Sequence, residues 1–96
     1  MGYSKNNMTE FEIIIRNDRG MHARASAKFV ERVESFDAQC EISKDGMNVS
    51  GDSIMGLLML AASKGSSITV KVWGADCDLL AESLKALIDN NFEENS

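Results

Sequence analysis

Between Ala38 and Val49, apolar and polar residues alternate on either side of an Asp45-Gly46 pair, and that pattern leaves the chain few options. Ala38, Cys40 and Ile42 fall on one face, with Gln39, Glu41 and Ser43 on the other. Met47 and Val49 resume the alternation after Lys44-Asp45-Gly46. A two-residue hairpin turn of type I′ needs positive φ at both central residues, which Asp-Gly tolerates. The segment is predicted to be a β-hairpin with one buried face.

The same period recurs on either side. Phe11, Ile13 and Ile15 alternate with Glu12, Ile14 and Arg16 until Asn17-Asp18-Arg19-Gly20 breaks the pattern, and Ile68, Val70 and Val72 alternate with Thr69, Lys71 and Trp73. Elsewhere the spacing is helical. Ala25, Phe29, Val33 and Phe36 form one stripe from Ala23 onward, while Lys28, Glu31, Arg32 and Glu34 face out. Leu57, Leu58 and Ala61 form a second stripe in a helix expected over residues 54–63, with Lys64-Gly65 as its stop. Leu80, Leu84, Leu87 and Ile88 form a third behind Asp76, a candidate N-cap. The element order is βαββαβα. Strands that bury one face, with amphipathic helices to cover it, imply an α+β domain: a four-stranded antiparallel sheet with three helices on one face. A ferredoxin-like split βαβ arrangement has the same element order, and periodicity does not choose between them.

With 96 residues, 44% of them hydrophobic, the chain has enough for one core. That domain is expected over residues 10–92, preceded by a flexible N-terminal lead, 1–9, and followed by an acidic tail, 93–96, not expected to pack. No apolar run reaches the ~20 residues that cross a bilayer, and MGYSKNNM has no apolar signal region, so a cytoplasmic protein without membrane insertion is expected. Myristoylation at Gly2 would want Ser or Thr at position 6, where the chain has Asn6. Cys40 and Cys77 stand apart with no His or second Cys beside either; buried free thiols are expected, with no metal and no cofactor. A net charge of -5 disfavours a nucleic-acid partner. Yet Arg16, Arg19, Arg24, Lys28 and Arg32 fall in a window whose acids are Asp18 and Glu31, a neighbourhood suited to one small anionic group.

His22, the single histidine, sits in that window at the expected start of the first helix. The first-turn N–H groups of a helix point outward and carry about half a positive charge, which makes an anion site. Arg24 and Arg19 can add charge-assisted bonds to phosphate oxygens, and Gly20 lets the backbone approach closely. The set suits transient covalent phosphorylation of the imidazole. No Ser-His-Asp set or Walker-type loop accompanies it, so donor and acceptor must come from outside.

Gly20-Met21-His22-Ala23-Arg24, followed by Val49-Ser50-Gly51-Asp52-Ser53-Ile54-Met55-Gly56-Leu57-Leu58 and Lys64-Gly65, resembles the histidine-containing phosphocarrier (HPr) family of the bacterial phosphotransferase system, over residues 10–92. The resemblance implies an open-faced β-sandwich with strand order 1-4-2-3. It implies that His22 takes a phosphoryl group on Nδ1 from Enzyme I, charged by phosphoenolpyruvate, and passes it to a IIA-type protein, with Arg24 stabilising the group. The chain would be a relay intermediate rather than a self-sufficient enzyme. The family usually has proline after the arginine. Here Ala25 keeps the helix and supplies an extra N–H.

Ile54, Met55 and Met59 lie off the core stripe of the second helix, where methionine suits an interface that must fit several partners in turn. The resemblance makes these residues, with Arg19, Ala23 and Lys28 around the histidine, a docking surface for Enzyme I and the acceptor. Ser53, an N-cap candidate beside Asp52, is by the same resemblance a regulatory site for an HPr kinase/phosphorylase. The wording of the motifs leans towards the regulatory, nitrogen-related branch over sugar uptake. A monomer is expected. The alternative from another class is a small-molecule-sensing module of ACT type with an incidental histidine. An RNA-binding sheet would need aromatics beyond Trp73.

Overall fold

In the computed structural model, which describes residues 7–94, the chain forms β1 (Met8–Ile14), α1 (Ala23–Glu34), β2 (Gln39–Lys44), β3 (Met47–Ser50), α2 (Ile54–Leu60), β4 (Ser67–Trp73), α3 (Cys77–Asp89) and a 3-10 turn (Asn91–Glu93). The strands pair antiparallel in the order β1-β4-β2-β3. This is the 1-4-2-3 order, with β1 at an edge, and not the ferredoxin-like arrangement. Val70 in β4 faces Phe11 on one side and Ile42 on the other, so the apolar sets fall in register across the sheet. Ile42, Ile68, Val70 and Val72 pack against Phe29 and Val33 of α1, Leu57 and Leu60 of α2, and Leu80, Leu84 and Leu87 of α3 in one cluster. Glu10, Glu12, Gln39 and Trp73 face outward from the other side. At the β2–β3 turn, Asp45 and Gly46 both have positive φ, 50° and 82°.

Four local expectations need correction. β1 begins at Met8, inside the expected lead: Met8 pairs with Trp73, Thr9 with Val72, and the Thr9 hydroxyl donates to Asp78 at 2.7 Å. α2 ends at Leu60 rather than at residue 63, because Ala61 turns left-handed with φ 52°, and Leu60 and Ala62 take the buried places expected of Leu58 and Ala61. Asp76 precedes α3 but makes no cap bond there; its carboxylate accepts instead from the Asp37 N–H at 2.9 Å. The described part of the acidic tail, Glu93 and Glu94, packs. Phe92 is fully buried, Lys28 and Arg32 hold Glu93, and Glu94 reaches His22. Residues 1–6 and 95–96 of the expected lead and tail lie outside the described residues. Among the described residues no helix is long and apolar enough to cross a membrane.

The loop between β1 and α1 is fixed by long-range backbone bonds. Gly65 N–H donates to Ile15, Ile15 N–H to Ser66, and Met21 N–H to Ala62, all at 2.8–2.9 Å. At Gly20, with φ 65°, a Cβ would fall 2.5 Å from the Ala62 carbonyl oxygen and 2.8 Å from the Ser63 Cα. At Gly46 it would meet nothing within 4 Å. Gly46→Ala should therefore cost only the left-handed conformation, about 1–2 kcal/mol. Gly20→Ala adds displacement of backbone, for about 2–5 kcal/mol in all and a fall in Tm of roughly 10 °C or more. Equal losses in thermal unfolding of the two variants would contradict this reading of the loop.

Cys40 is 5% exposed, and burial, followed by the charges of Asp52 and Glu41, pushes its thiol up to about 12. The thiolate is the reactive form, so Cys40 in folded protein should resist alkylation by iodoacetamide at pH 8 and react once urea unfolds the chain. Peptide mapping reads this directly.

Candidate active site

α1 has an unusual cap. Its N-cap is His22, in extended backbone, and the imidazole Nδ1 accepts the N–H of Arg24 at 3.2 Å where Ser, Asp or Asn would ordinarily serve. The His22 carbonyl takes the N–H of Ser26 at 2.8 Å, closing the first turn. Nδ1 is thus an unprotonated nitrogen with its lone pair directed at the positive end of a helix. Ala23 and Ala25 belong to the same first turn, whose N–H groups have no partner within a helix. A group attached to Nδ1 lies against those donors.

The other ring nitrogen is engaged too. Nε2 pairs with Glu94 Oε2, and the other carboxylate oxygen, Oε1, accepts from Asn17 Nδ2 at 3.2 Å. Asn17 is 1% exposed; its Nδ2 also donates to the Gly20 carbonyl at 2.8 Å, while its Oδ1 is buried without a partner among the described residues. The side chains of His22 and Glu94 are 24% and 9% exposed. Burial works against ionisation of Glu94, but hydrogen bonds from His22 and Asn17 and the charge of Arg19 outweigh it, holding this carboxyl below the ordinary glutamate range. Since a carboxylate only accepts, the ring proton is on Nε2, in agreement with the acceptor role of Nδ1.

The backbone that delivers Glu94 is strained. Asn91, Phe92 and Glu93 have φ of 57°, 55° and 63°, consecutive left-handed residues of which none is glycine. Such residues cost on the order of 1–2 kcal/mol each and persist only where their surroundings enforce them. Here the buried Phe92 ring anchors the turn, Lys28 donates to the Phe92 carbonyl at 3.0 Å, and Arg32 and Lys28 bind Glu93 at 2.7 and 3.4 Å.

The residues singled out in the sequence fall into two groups. Around the imidazole, Arg19, Ala23 and Arg24 are exposed, and Lys28 is half-buried because the tail occupies it. Neither Arg19 nor Arg24 has a carboxylate in ion-pair contact among the described residues. On α2, Ile54, Met55 and Met59 are 41%, 69% and 64% exposed, with Met47 of β3 at 42%. Ser53, not Asp52, is the N-cap of α2, its hydroxyl accepting the Gly56 N–H at 3.0 Å. The Met21–Ala62 bond ties the His22 loop to the chain just beyond α2. Sequence reasoning missed Asn17 and Glu94. Asn17 carried one signal, a polar residue at the end of an otherwise apolar strand face; Glu94 carried none.

Comparison with known proteins identifies the family. The family model of the PTS HPr component phosphorylation site matches residues 9–90. A phosphocarrier protein HPr of Xylella fastidiosa is 39% identical over 93% of this chain and all of its own length. A phosphocarrier protein NPr of Shewanella violacea is 37% identical over 91% of this chain and 96% of its own length. The crystal structure of HPr-C-His from Thermoanaerobacter tengcongensis superposes with a TM-score of 0.87 at 34% identity, covering 92% of this chain and 99% of that one. With the fold, the strand order and the capping histidine all in place, this chain belongs to the HPr family of phosphocarrier proteins of the phosphotransferase system.

Proposed function

We propose that His22 is the phosphoryl acceptor, charged by phosphorylated Enzyme I, which phosphoenolpyruvate supplies, and discharged to a IIA-type protein. The observation that carries the reading is the unprotonated Nδ1 at the N-terminus of α1. In the transfer, the Nδ1 lone pair forms a bond to phosphorus as the bond to the donor atom breaks, its electron pair leaving with the donor. The phosphoryl oxygens come to rest against the first-turn N–H groups, Ala25 included, and within reach of the Arg24 guanidinium. The phosphorylated protein works in the cytoplasm, where both partners meet it as a monomer. Relatives named HPr and NPr match at similar identity, so they favour neither sugar uptake nor the nitrogen-related branch.

Ile54, Met55 and Met59 form the apolar part of the docking surface and Arg19, Ala23 and Lys28 its polar part. Ser53 serves as the regulatory site for an HPr kinase/phosphorylase. A phosphate on its hydroxyl would replace the cap bond to Gly56 and bring about two negative charges beside Ile54 and Met55.

Incubation with phosphoenolpyruvate and Enzyme I should add one acid-labile phosphoryl group to the wild type, seen by intact mass and placed on Nδ1 by phosphorus NMR. His22→Ala should take none. An unmodified wild type beside Enzyme I that charges another carrier would overturn the reading. Met55→Glu puts a charge on a side chain already in water, so the fold should be unaffected while the KM for phosphoryl transfer from Enzyme I rises by about tenfold or more. An unchanged KM would remove Met55 from the surface.

A further inference from the structure

The reading of His22 as acceptor leaves the C-terminal arm unexplained. Three left-handed residues, a buried phenylalanine and two cations on α1 all hold Asn91–Glu94 in place, and Glu94 brings a carboxylate to the face of the imidazole opposite the attacking nitrogen. Asn17, itself buried and anchored on the Gly20 carbonyl, fixes that carboxylate from the other side.

We propose that Glu94 is a positioning residue for phosphoryl transfer: its carboxylate holds the Nε2–H of His22, presents Nδ1 as the nucleophile, and offsets the positive charge the ring gains on phosphorylation. The proposal rests on the reading of His22 above. Charge accounting shows why a carboxylate belongs there. A neutral imidazole that attacks phosphorus through Nδ1 keeps its Nε2 proton, so the ring becomes formally cationic as the new N–P bond forms. No proton moves. A carboxylate on Nε2–H is then more strongly bound in the transition state than before it, the relation by which the aspartate of a Ser-His-Asp set acts on its histidine. In the return step the same interaction keeps the proton on Nε2, so that Nδ1 departs as a neutral nitrogen. Around the pair, Arg19 reaches Glu94 by its charge, Lys28 and Arg32 are occupied by Glu93, Lys64 by Asp18, and Arg24 faces solvent. None of them can take over the contact with Nε2.

Glu94→Gln keeps the shape and an acceptor oxygen but removes the charge; Glu94→Ala removes both. In rapid-quench transfer from phosphorylated Enzyme I, both variants should be charged about tenfold more slowly than wild type, the alanine form the slower. A second readout separates positioning from mere packing. An N-phosphorylated imidazole hydrolyses through its form protonated on the other nitrogen, and a carboxylate at Nε2 retains that proton to higher pH. The midpoint of the hydrolysis profile of phosphorylated protein should therefore move down by about one pH unit in Glu94→Gln. Wild-type rates and an unmoved profile in both variants would overturn the proposal while leaving His22 as acceptor. Should the wild type itself take no phosphoryl group, histidine-ring NMR of the unmodified protein decides on the pair alone: a slowly exchanging Nε2–H signal, lost in Glu94→Ala, supports it, and no difference between the two overturns it.

Discussion

The loop that carries His22 has no helix or strand of its own, and its place depends on Gly20 lying directly on the backbone of Ala62 and Ser63. That contact allows Met21 N–H to reach the Ala62 carbonyl, which sets the level at which His22 starts α1. The cap, the orientation of Nδ1 and the access of Glu94 to Nε2 all follow from it. A side chain at residue 20 would push the loop off its seat and swing the imidazole away from both of its partners, so close backbone approach here is a functional constraint as much as a packing one.

The second organising interaction is electrostatic and joins the two ends of the domain. In the sequence, the basic residues near His22 look like an open positive patch. In the fold, the C-terminal acids close most of it: Asp89 pairs with Arg16, Glu93 with Lys28 and Arg32, and Glu94 with His22. The Arg16 pair is exposed and adds little stability. The Glu93 pairs contribute more by orientation, since together with Phe92 they hold the left-handed turn that no local preference of Asn91, Phe92 or Glu93 would form.

What could be read from the sequence was what repeats locally. The alternation in β2 and β3 around Asp45-Gly46, and the stripes from Ala25 to Val33 and from Leu80 to Ile88, follow from a period and a turn chemistry that neighbouring residues carry by themselves. His22 and Arg24 were legible for the same reason, as a cluster within one short motif. The misplaced features depend on distant partners. Met8 and Thr9 read as a polar lead because their partners, Trp73, Val72 and Asp78, lie at the other end of the chain. α2 stops early because Ala61, the best of helix formers, is turned left-handed so that Ala62 can meet the loop that carries His22, an override of local propensity by tertiary structure. Glu94 sits in an acidic run with no period, and only the fold brings it to His22.

These two interactions bear on how a carrier can both accept and release the same group. Hydrogen bonds to a charged phosphoryl oxygen contribute roughly 1.5–3 kcal/mol each. Each further cation bound to a phosphoryl group at Nδ1 would stabilise the charged protein and oppose onward transfer. With Lys28 engaged by Glu93 and the Phe92 carbonyl, backbone N–H groups and the exposed Arg24 are the ligands left for the group. Glu94 then acts on the ring rather than on the phosphoryl oxygens. By stabilising the cationic ring it eases formation of the N–P bond, and by keeping the proton on Nε2 it eases cleavage of that bond, so one carboxylate serves both directions of the relay. On the proposed reading, the arm of residues 90–94 balances the affinity of the site for its cargo.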